Sequence, residues 1–351
     1  MKKYYEQERF KTSNSAKLFD IDLYLVSNNL DNYNKESMSC AIKKGLGEME
    51  MHNGELANND EYVHFENVTV ILSKKEEKYM SVRIEKSKGV WTIIHSRPES
   101  RNAMDSASAD QLTDAFLEFN ENDDGKVAVF WGEGGAFCAG WDLKLASKLD
   151  TDDPLKDLDI DLNDKVLKDN NLMPRGPMGP SRLNLKKPVI GAIAGPAVAG
   201  GMELALWCDF RVMEASAYLG VYCRRWGIPL IDGGTIRLPR IVGRGRALEI
   251  ILTGRQVKAN ECLALGLCEY ISETGQSRQK AEELAHQIAK FPQICVQADR
   301  RSVYDQEGLS MAEALRQEWF NGKKALSEEG LNGANNFKKG FGRHGDFDKL
   351  S

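Results

Sequence analysis

The sequence lacks any apolar run long enough to cross a bilayer. Its most apolar stretch, residues 188–202, holds 15 uncharged residues rich in glycine and alanine before Glu203 interrupts it. A spanning helix needs about 20, so this stretch reads as a buried core element. An excess of basic residues is missing too: Lys+Arg number 47 against 52 Asp+Glu, a net charge of -5. That speaks against a nucleic-acid or membrane-surface binder. Seven Cys, an odd number scattered over 351 residues, make no disulfide framework and fit a reducing compartment. The N-terminus carries Glu6, Glu8, Asp20 and Asp22 without an apolar core, unlike a signal or transit peptide. The C-terminus ends Lys349-Leu350-Ser351, not Ser-Lys-Leu. An intracellular, preferably cytoplasmic location is expected, with mitochondria and peroxisomes left open.

Metal signals are equally sparse. Cys262 and Cys268 lie six apart, and the five His do not cluster. The run Asp157-x-Asp159-x-Asp161 has Leu162 where a calcium loop needs Gly and Lys168 where it needs Glu. No G-K-[ST] loop, no G-x-G-x-x-G opening a helix, and no G-x-S-x-G occurs. No metal or cofactor is expected.

Residues 1–79 contain no proline and many Asn, with one strand expected over 68–72; the remainder reads as a loosely structured extension. From Met80 the pattern sharpens. Residues 81–85 and 90–94 predict a hairpin about Lys88-Gly89. Asp105 or Ser106 caps a helix to about Glu121, with Leu112, Ala115, Phe116 and Phe119 on one face. Residues 127–131, 188–193 and 210–213 read as further strands, with a helix over 202–208. Residues 150–169 hold eight Asp and three Lys, a solvated insertion. Helices are expected over 233–252, 258–265, 277–290, 292–305 and 310–328, with a short strand near 269–271. Strands alternating with helices before a helical tail make the fold class α/β, with one main domain over 80–351.

Two glycine-rich turns follow buried strands about 60 residues apart: Gly132-Glu-Gly-Gly-Ala136, and the turn from Gly195-Pro196 to Gly200-Gly201. The second feeds a helix N-terminus, whose amides are unpaired. Two such turns either aim two N–H groups at one oxygen, as an oxyanion hole, or simply close two βα units.

The run Arg97-Pro-Glu-Ser-Arg-Asn-Ala103, followed by Ala136-Phe-Cys-Ala-Gly-Trp-Asp-Leu143, Lys187-Pro-Val-Ile-Gly-Ala-Ile-Ala-Gly195 and Ala199-Gly-Gly-Met-Glu-Leu-Ala205, resembles the crotonase (enoyl-CoA hydratase/isomerase) superfamily. So do Trp226-Gly-Ile-Pro-Leu-Ile-Asp-Gly-Gly-Thr-Ile-Arg-Leu-Pro239, Leu252-Thr-Gly254, the spacing from Ala259 to Gly266, and Gly340-Phe-Gly-Arg-His344. The resemblance spans about 80–345 and makes 1–79 an addition. It implies a crotonase-like spiral of ββα units over about 80–275 and a helical trimerisation region over about 276–351. It also implies an acyl-CoA thioester substrate, with CoA arriving as part of that substrate.

By motif position the resemblance assigns the oxyanion hole to the N–H groups of Ala139 and Gly200. It lays Arg101 to Ala103 and Gly140, Trp141 and Asp142 along the CoA path. Arg101 either pairs with a CoA phosphate or is a solvated loop arginine. Glu203 falls at a catalytic glutamate of the family, though a Glu at that helix position is also an ordinary cap. The second glutamate of the hydratases aligns with Cys223, whose thiol holds water poorly; it is expected to line the pocket, a nucleophile only if Arg224 or Arg225 lowers its pKa. Asp232 either relays a proton or caps the helix at 233–235. Trp141, Tyr222 and Trp226 either wall the pocket or pack in the core.

Two activities follow, hydration of a 2-enoyl-CoA or double-bond isomerisation with one carboxylate. A third possibility is a CoA-binding protein without turnover. The resemblance also implies a trimer or dimer of trimers. The spacing Met311, Ala314, Leu315, Trp319 fits packing against a core or a neighbour.

Overall fold

The computed structural model describes residues 80–148, 158–160 and 173–342, together with three strands of the N-terminal region. The chain divides into two units, Met1–Tyr79 and Met80–Ser351. In the first, β1 (Ile21–Ser27), β2 (Glu61–Phe65) and β3 (Val68–Lys74) form an antiparallel sheet in the order β1-β3-β2. The strand expected at 68–72 is thus the centre of a sheet. Its partner β1 carries a period-two pattern, Ile21, Leu23 and Leu25, too short to stand out beside its polar flanks.

The second unit is built on a six-stranded sheet in the order β12-β9-β7-β6-β5-β4. The expected hairpin is β4 (Val82–Ser87) and β5 (Val90–His95), turning through Lys88 and Gly89, both with positive φ. That conformation matches the twist of paired strands. The strands β6 (Val127–Gly132), β7 (Val189–Ile193), β9 (Phe210–Glu214) and β12 (Tyr270–Ser272) add in parallel. Parallel strands are covered on both faces and therefore read as continuous apolar runs.

Helix α1 (Ser106–Glu121) covers one face. Asp105 caps it by accepting the Ser108 N–H at 2.7 Å, and Leu112, Phe116 and Phe119 are fully buried. Helix α7 (Ser277–Ala289) covers the other with Ala281, Ala285 and Ala289, whose spacing of four places small side chains on one stripe against Val90, Val129 and Ile190.

A smaller sheet joins β8 (Pro196–Val198), β10 (Tyr218–Gly220) and β11 (Gln256–Lys258) in the order β11-β10-β8. Strands of three residues are too short to show a period, and the sequence gives no sign of this sheet. The helix expected over 233–252 is two, α4 (Gly234–Val242) and α5 (Arg244–Thr253), parted at Gly243, whose φ of 77° leaves the helical region, and the one expected over 258–265 is α6 (Ala259–Leu265).

Helix α8 (Gln293–Asp305) is tied to the sheet unit through Arg300 and Tyr304 on Asp209. Helix α9 (Met311–Ala325) starts with a capping box of Ser310 and Glu313, and continues through a π-helical turn, Leu326–Gly330, into α10 (Leu331–Lys338). Met311, Leu315 and Trp319 are not in the protomer's core; each is more than half exposed. The acidic insertion at 150–169 lies outside the described residues apart from 158–160. No helix among the described residues is long and apolar enough to cross a membrane.

Candidate active site

Strand β6 and the β8 turn end beside one another, and the loops beyond them form one wall of a cleft of about 860 Å³. Ala199 sits at the N-cap of α3 (Gly200–Trp207) with φ 54° and ψ -126°, a conformation that costs a residue bearing a Cβ about 1–3 kcal/mol. Its own N–H bonds Gly220 O at 2.8 Å. Gly200 is the first residue of α3, where helix geometry leaves the amide without an intrahelical acceptor, and it lines the cleft.

The facing loop is stapled from within. Asn102, fully buried, accepts the Arg97 N–H at 2.7 Å and donates to Glu133 O and Ala136 O at 2.8 and 2.7 Å. Met104 N–H bonds Gly140 O at 2.7 Å and Asp142 N–H bonds Met104 O at 2.9 Å.

This geometry departs from the expected donor pair, because the amide expected to be free in this loop is engaged. The Ala139 N–H is spent on Arg101 O at 3.1 Å. The bridge between Met104 and Trp141 directs the Trp141 N–H away from Met104, and no acceptor for it lies among the described residues. Trp141 lines the cleft. The free amide is therefore two residues beyond Ala139, a displacement that only the pairing with Met104 reveals.

Gly140 does not line the cleft; it is where the two loops abut. A Cβ there would stand 2.8 Å from Ala199 Cβ and 3.2 Å from Gly200 N, at φ 91°. Asp142 borders the cleft, but its carboxylate is engaged: it pairs with Arg97 at 3.0 Å and caps α2 (Leu143–Ala146) through the Lys144 and Leu145 N–H groups. Ala103 also lines the cleft, and Arg97, which has no role of its own in the sequence reading, donates to the Ala103 carbonyl. Arg101 is exposed on the cleft and its guanidinium has no partner among the described residues.

Glu203 points into the same cleft from the first turn of α3 and is 2% exposed. Its Oε2 accepts the N–H groups of Asp232 and Gly234 at 2.9 and 2.7 Å, while Oε1 takes no hydrogen bond among the described residues. Burial, reinforced by the charge of Asp232, pushes its carboxyl up to about 7. A group titrating there is suited to both giving and taking a proton.

Asp232 is 3% exposed and does not cap a helix. Gly233 holds the N-cap position of α4, while Asp232 Oδ1 accepts from Met178 N–H at 3.0 Å and from Ser181 Oγ. Burial raises its carboxyl against the pull of those donors. Cys223, in the 3-10 turn Tyr222–Trp226, is buried against the cleft. Burial, and then the Glu203 charge, push its thiol up, which opposes the nucleophile reading. Trp226 stands at 70% exposure on the cleft lip, whereas Trp141 is half-buried, lining the cleft on one side and packing against the core on the other. Among the described residues no three His, Cys, Asp or Glu gather as metal ligands.

A model of the enoyl-CoA hydratase/isomerase family matches residues 85–339. The chain belongs to this family. It is 31% identical over 262 residues to enoyl-CoA hydratase EchA19 of Mycobacterium tuberculosis, covering 72% of this chain and 92% of that one. It is 29% identical over 238 residues to carnitinyl-CoA dehydratase of Escherichia coli, covering 67% and 85%. The crystal structure of enoyl-CoA hydratase EchA1 from Mycobacterium marinum superimposes with a TM-score of 0.64 at 27% identity, over 74% of this chain and 96% of that one. The fold is the crotonase fold, with a helical C-terminal region, and the resemblance of the motifs to this superfamily is confirmed.

Proposed function

We propose that this enoyl-CoA hydratase/isomerase family enzyme adds water across the 2,3-double bond of an enoyl-CoA, with Glu203 and Asp232 as its two carboxylates. The observation that carries the reading is that both are buried in one cleft beside the free amides of Trp141 and Gly200. The relatives named as an enoyl-CoA hydratase and as a carnitinyl-CoA dehydratase support it.

The thioester oxygen accepts the Trp141 and Gly200 N–H groups, which stabilise the charge as the carbonyl becomes an enolate. Asp232 takes a proton from water as its oxygen bonds C3. Glu203, protonated for a substantial fraction of the time near neutral pH, gives its proton to C2. Returning the Asp232 proton to solvent and recharging Glu203 closes the cycle with one water consumed. CoA is needed only as the carrier of the acyl group, and exposed Arg101 is placed for one of its phosphates.

Cys223 favours a second reading. Its thiol is a weak partner for water, and isomerisation of a 3-enoyl-CoA needs only a proton moved from C2 to C4. Incubation with a 2-enoyl-CoA and a 3-enoyl-CoA, read by mass spectrometry, separates the two. Hydration predicts a gain of one water; isomerisation alone predicts a shifted double bond at unchanged mass.

Assembly belongs to the same reading. Met311, Leu315, Trp319, Phe320 and Leu331 leave the C-terminal helices with a broad exposed apolar surface. Such surfaces mark contacts with other chains, and a trimer or dimer of trimers of this chain covers it.

A further inference from the structure

We infer that Ser181 is a positioning residue for the reaction: its hydroxyl, with the Met178 amide, holds Asp232 by Oδ1 and so leaves Oδ2 for the substrate's water. The inference rests on the role given to Asp232 above. The segment that carries Ser181 follows the acidic insertion and is attached on several sides. Gly176 and Gly179 bond each other in both directions at 2.9 Å. The 3-10 turn Pro180–Arg182 then turns Ser181 inward, where it is 1% exposed. Just beyond, Leu183 O accepts the Trp207 indole N–H at 3.0 Å, fastening the segment to α3.

Arg237 of α4 completes the clamp. One guanidinium nitrogen donates to Asp232 O at 2.9 Å and another to Ser181 O at 2.8 Å. The two residues are thus fixed twice, hydroxyl to carboxylate and carbonyl to carbonyl through one planar cation. Asp232 Oδ2 takes no hydrogen bond among the described residues. On the Gly176 side the approach is close: a Cβ on Gly176 would fall 1.9 Å from Ser181 Oγ and 2.4 Å from Asp232 Oδ1.

The charged and titratable groups around Asp232 are Glu203 from α3, Arg237 from α4, Arg182 beside Ser181, and Cys138 from the loop after β6. Burial favours the neutral acid, while the Ser181 hydroxyl, the Met178 amide and the two arginines favour the anion. The Ser181 hydroxyl is the nearest neutral donor opposing burial, so removing it must raise the proton affinity of Asp232.

The test uses full-length protein with Ser181→Ala, Ser181→Thr and Gly176→Ala. The Asp232 carboxyl is titrated by NMR on protein carrying ¹³C-labelled aspartate, its signal assigned by loss in Asp232→Asn. Ser181→Ala is expected to move the titration up by roughly half a unit or more and to lower kcat roughly tenfold to a hundredfold with KM little changed. Ser181→Thr is expected to keep both near wild type. Gly176→Ala is expected to act like Ser181→Ala while leaving the hydroxyl in the chain. A folded Ser181→Ala protein with an unmoved titration overturns the inference. Asp232→Asn in the same kinetic assay is a separate arm. If it turns over like wild type the catalytic role of Asp232 fails, whereas loss there with a silent Ser181→Ala removes only the positioning role.

Discussion

Glu203 Oε2 accepts the main-chain N–H of Asp232 at 2.9 Å, so the backbone of one buried acid fixes the side chain of the other. The same oxygen also takes the Gly234 N–H. Glu203 is thereby held by the loop that supplies Asp232, and its second oxygen remains for chemistry. The acids come from α3 and from the turn before α4, about 30 residues apart in sequence.

Glu203→Gln keeps the shape and removes the proton. Hydration is expected to fall by about a hundredfold or more, the range typical for a lost general acid–base group, with folding intact. The pH dependence of stability has a definite sign. Burial raises the Glu203 carboxyl from 4.5 to about 7, so its contribution is fully present below pH 4.5 and is lost as pH rises through 7. The lost amount is roughly 3 kcal/mol at most. Urea midpoints of wild type and Glu203→Gln, compared from pH 4.5 to 8, are expected to shift progressively in favour of the variant; parallel curves contradict the assignment.

Gly140→Ala puts a methyl group where the loops carrying Trp141 and Gly200 meet, 2.8 Å from Ala199 Cβ, at a φ of 91°. The loops must separate. A stability loss of about 1–3 kcal/mol is expected, with kcat lowered more than KM raised if the amides act on the transition state as proposed. Thermal melts and initial rates check it; an unchanged kcat means that Gly140 does not set the spacing of Trp141 and Gly200.

His95 is fully buried at the end of β5, and neither ring nitrogen has a hydrogen-bond partner among the described residues. Burial, helped by Arg97, depresses it to about 4. Its stability contribution is present above pH 6.5 and lost as pH falls toward 4. His95→Leu is expected to be more stable at neutral pH by about 1–3 kcal/mol, the cost of unpaired buried polar groups, and the advantage is expected to widen between pH 6.5 and 4. Denaturant titrations at both pH values decide it.

Trp319→Glu puts a charge on the exposed apolar surface of the C-terminal helices. Light scattering on the eluting protein is expected to report a trimer or hexamer for wild type and a smaller species for the variant. A wild-type monomer at micromolar concentration contradicts the assembly.

Much of the fold was legible because its strands are parallel and doubly buried. Residues 127–131 and 188–193 stand out as apolar runs, and Asp105 with Leu112, Phe116 and Phe119 marks α1. The short β8, β10 and β11 were not, since three residues show no period. At the site, Glu203 and Gly200 were readable from helix position and motif. The Trp141 amide was not, because its freedom depends on which neighbour pairs with Met104. Asp232 was readable only as a choice between cap and acid, and Ser181 lies 51 residues away in the chain, so nothing local decides. Arg237 was hidden for the same reason, an arginine whose partners are two distant carbonyls.

The most direct test of the two-acid site is the rate of water addition to a 2-enoyl-CoA by wild type and Asp232→Asn in ¹⁸O-labelled water. Wild type is expected to yield a 3-hydroxyacyl-CoA carrying the label, and Asp232→Asn to lose about a hundredfold or more of that rate. An Asp232→Asn protein that incorporates label as fast as wild type contradicts the account.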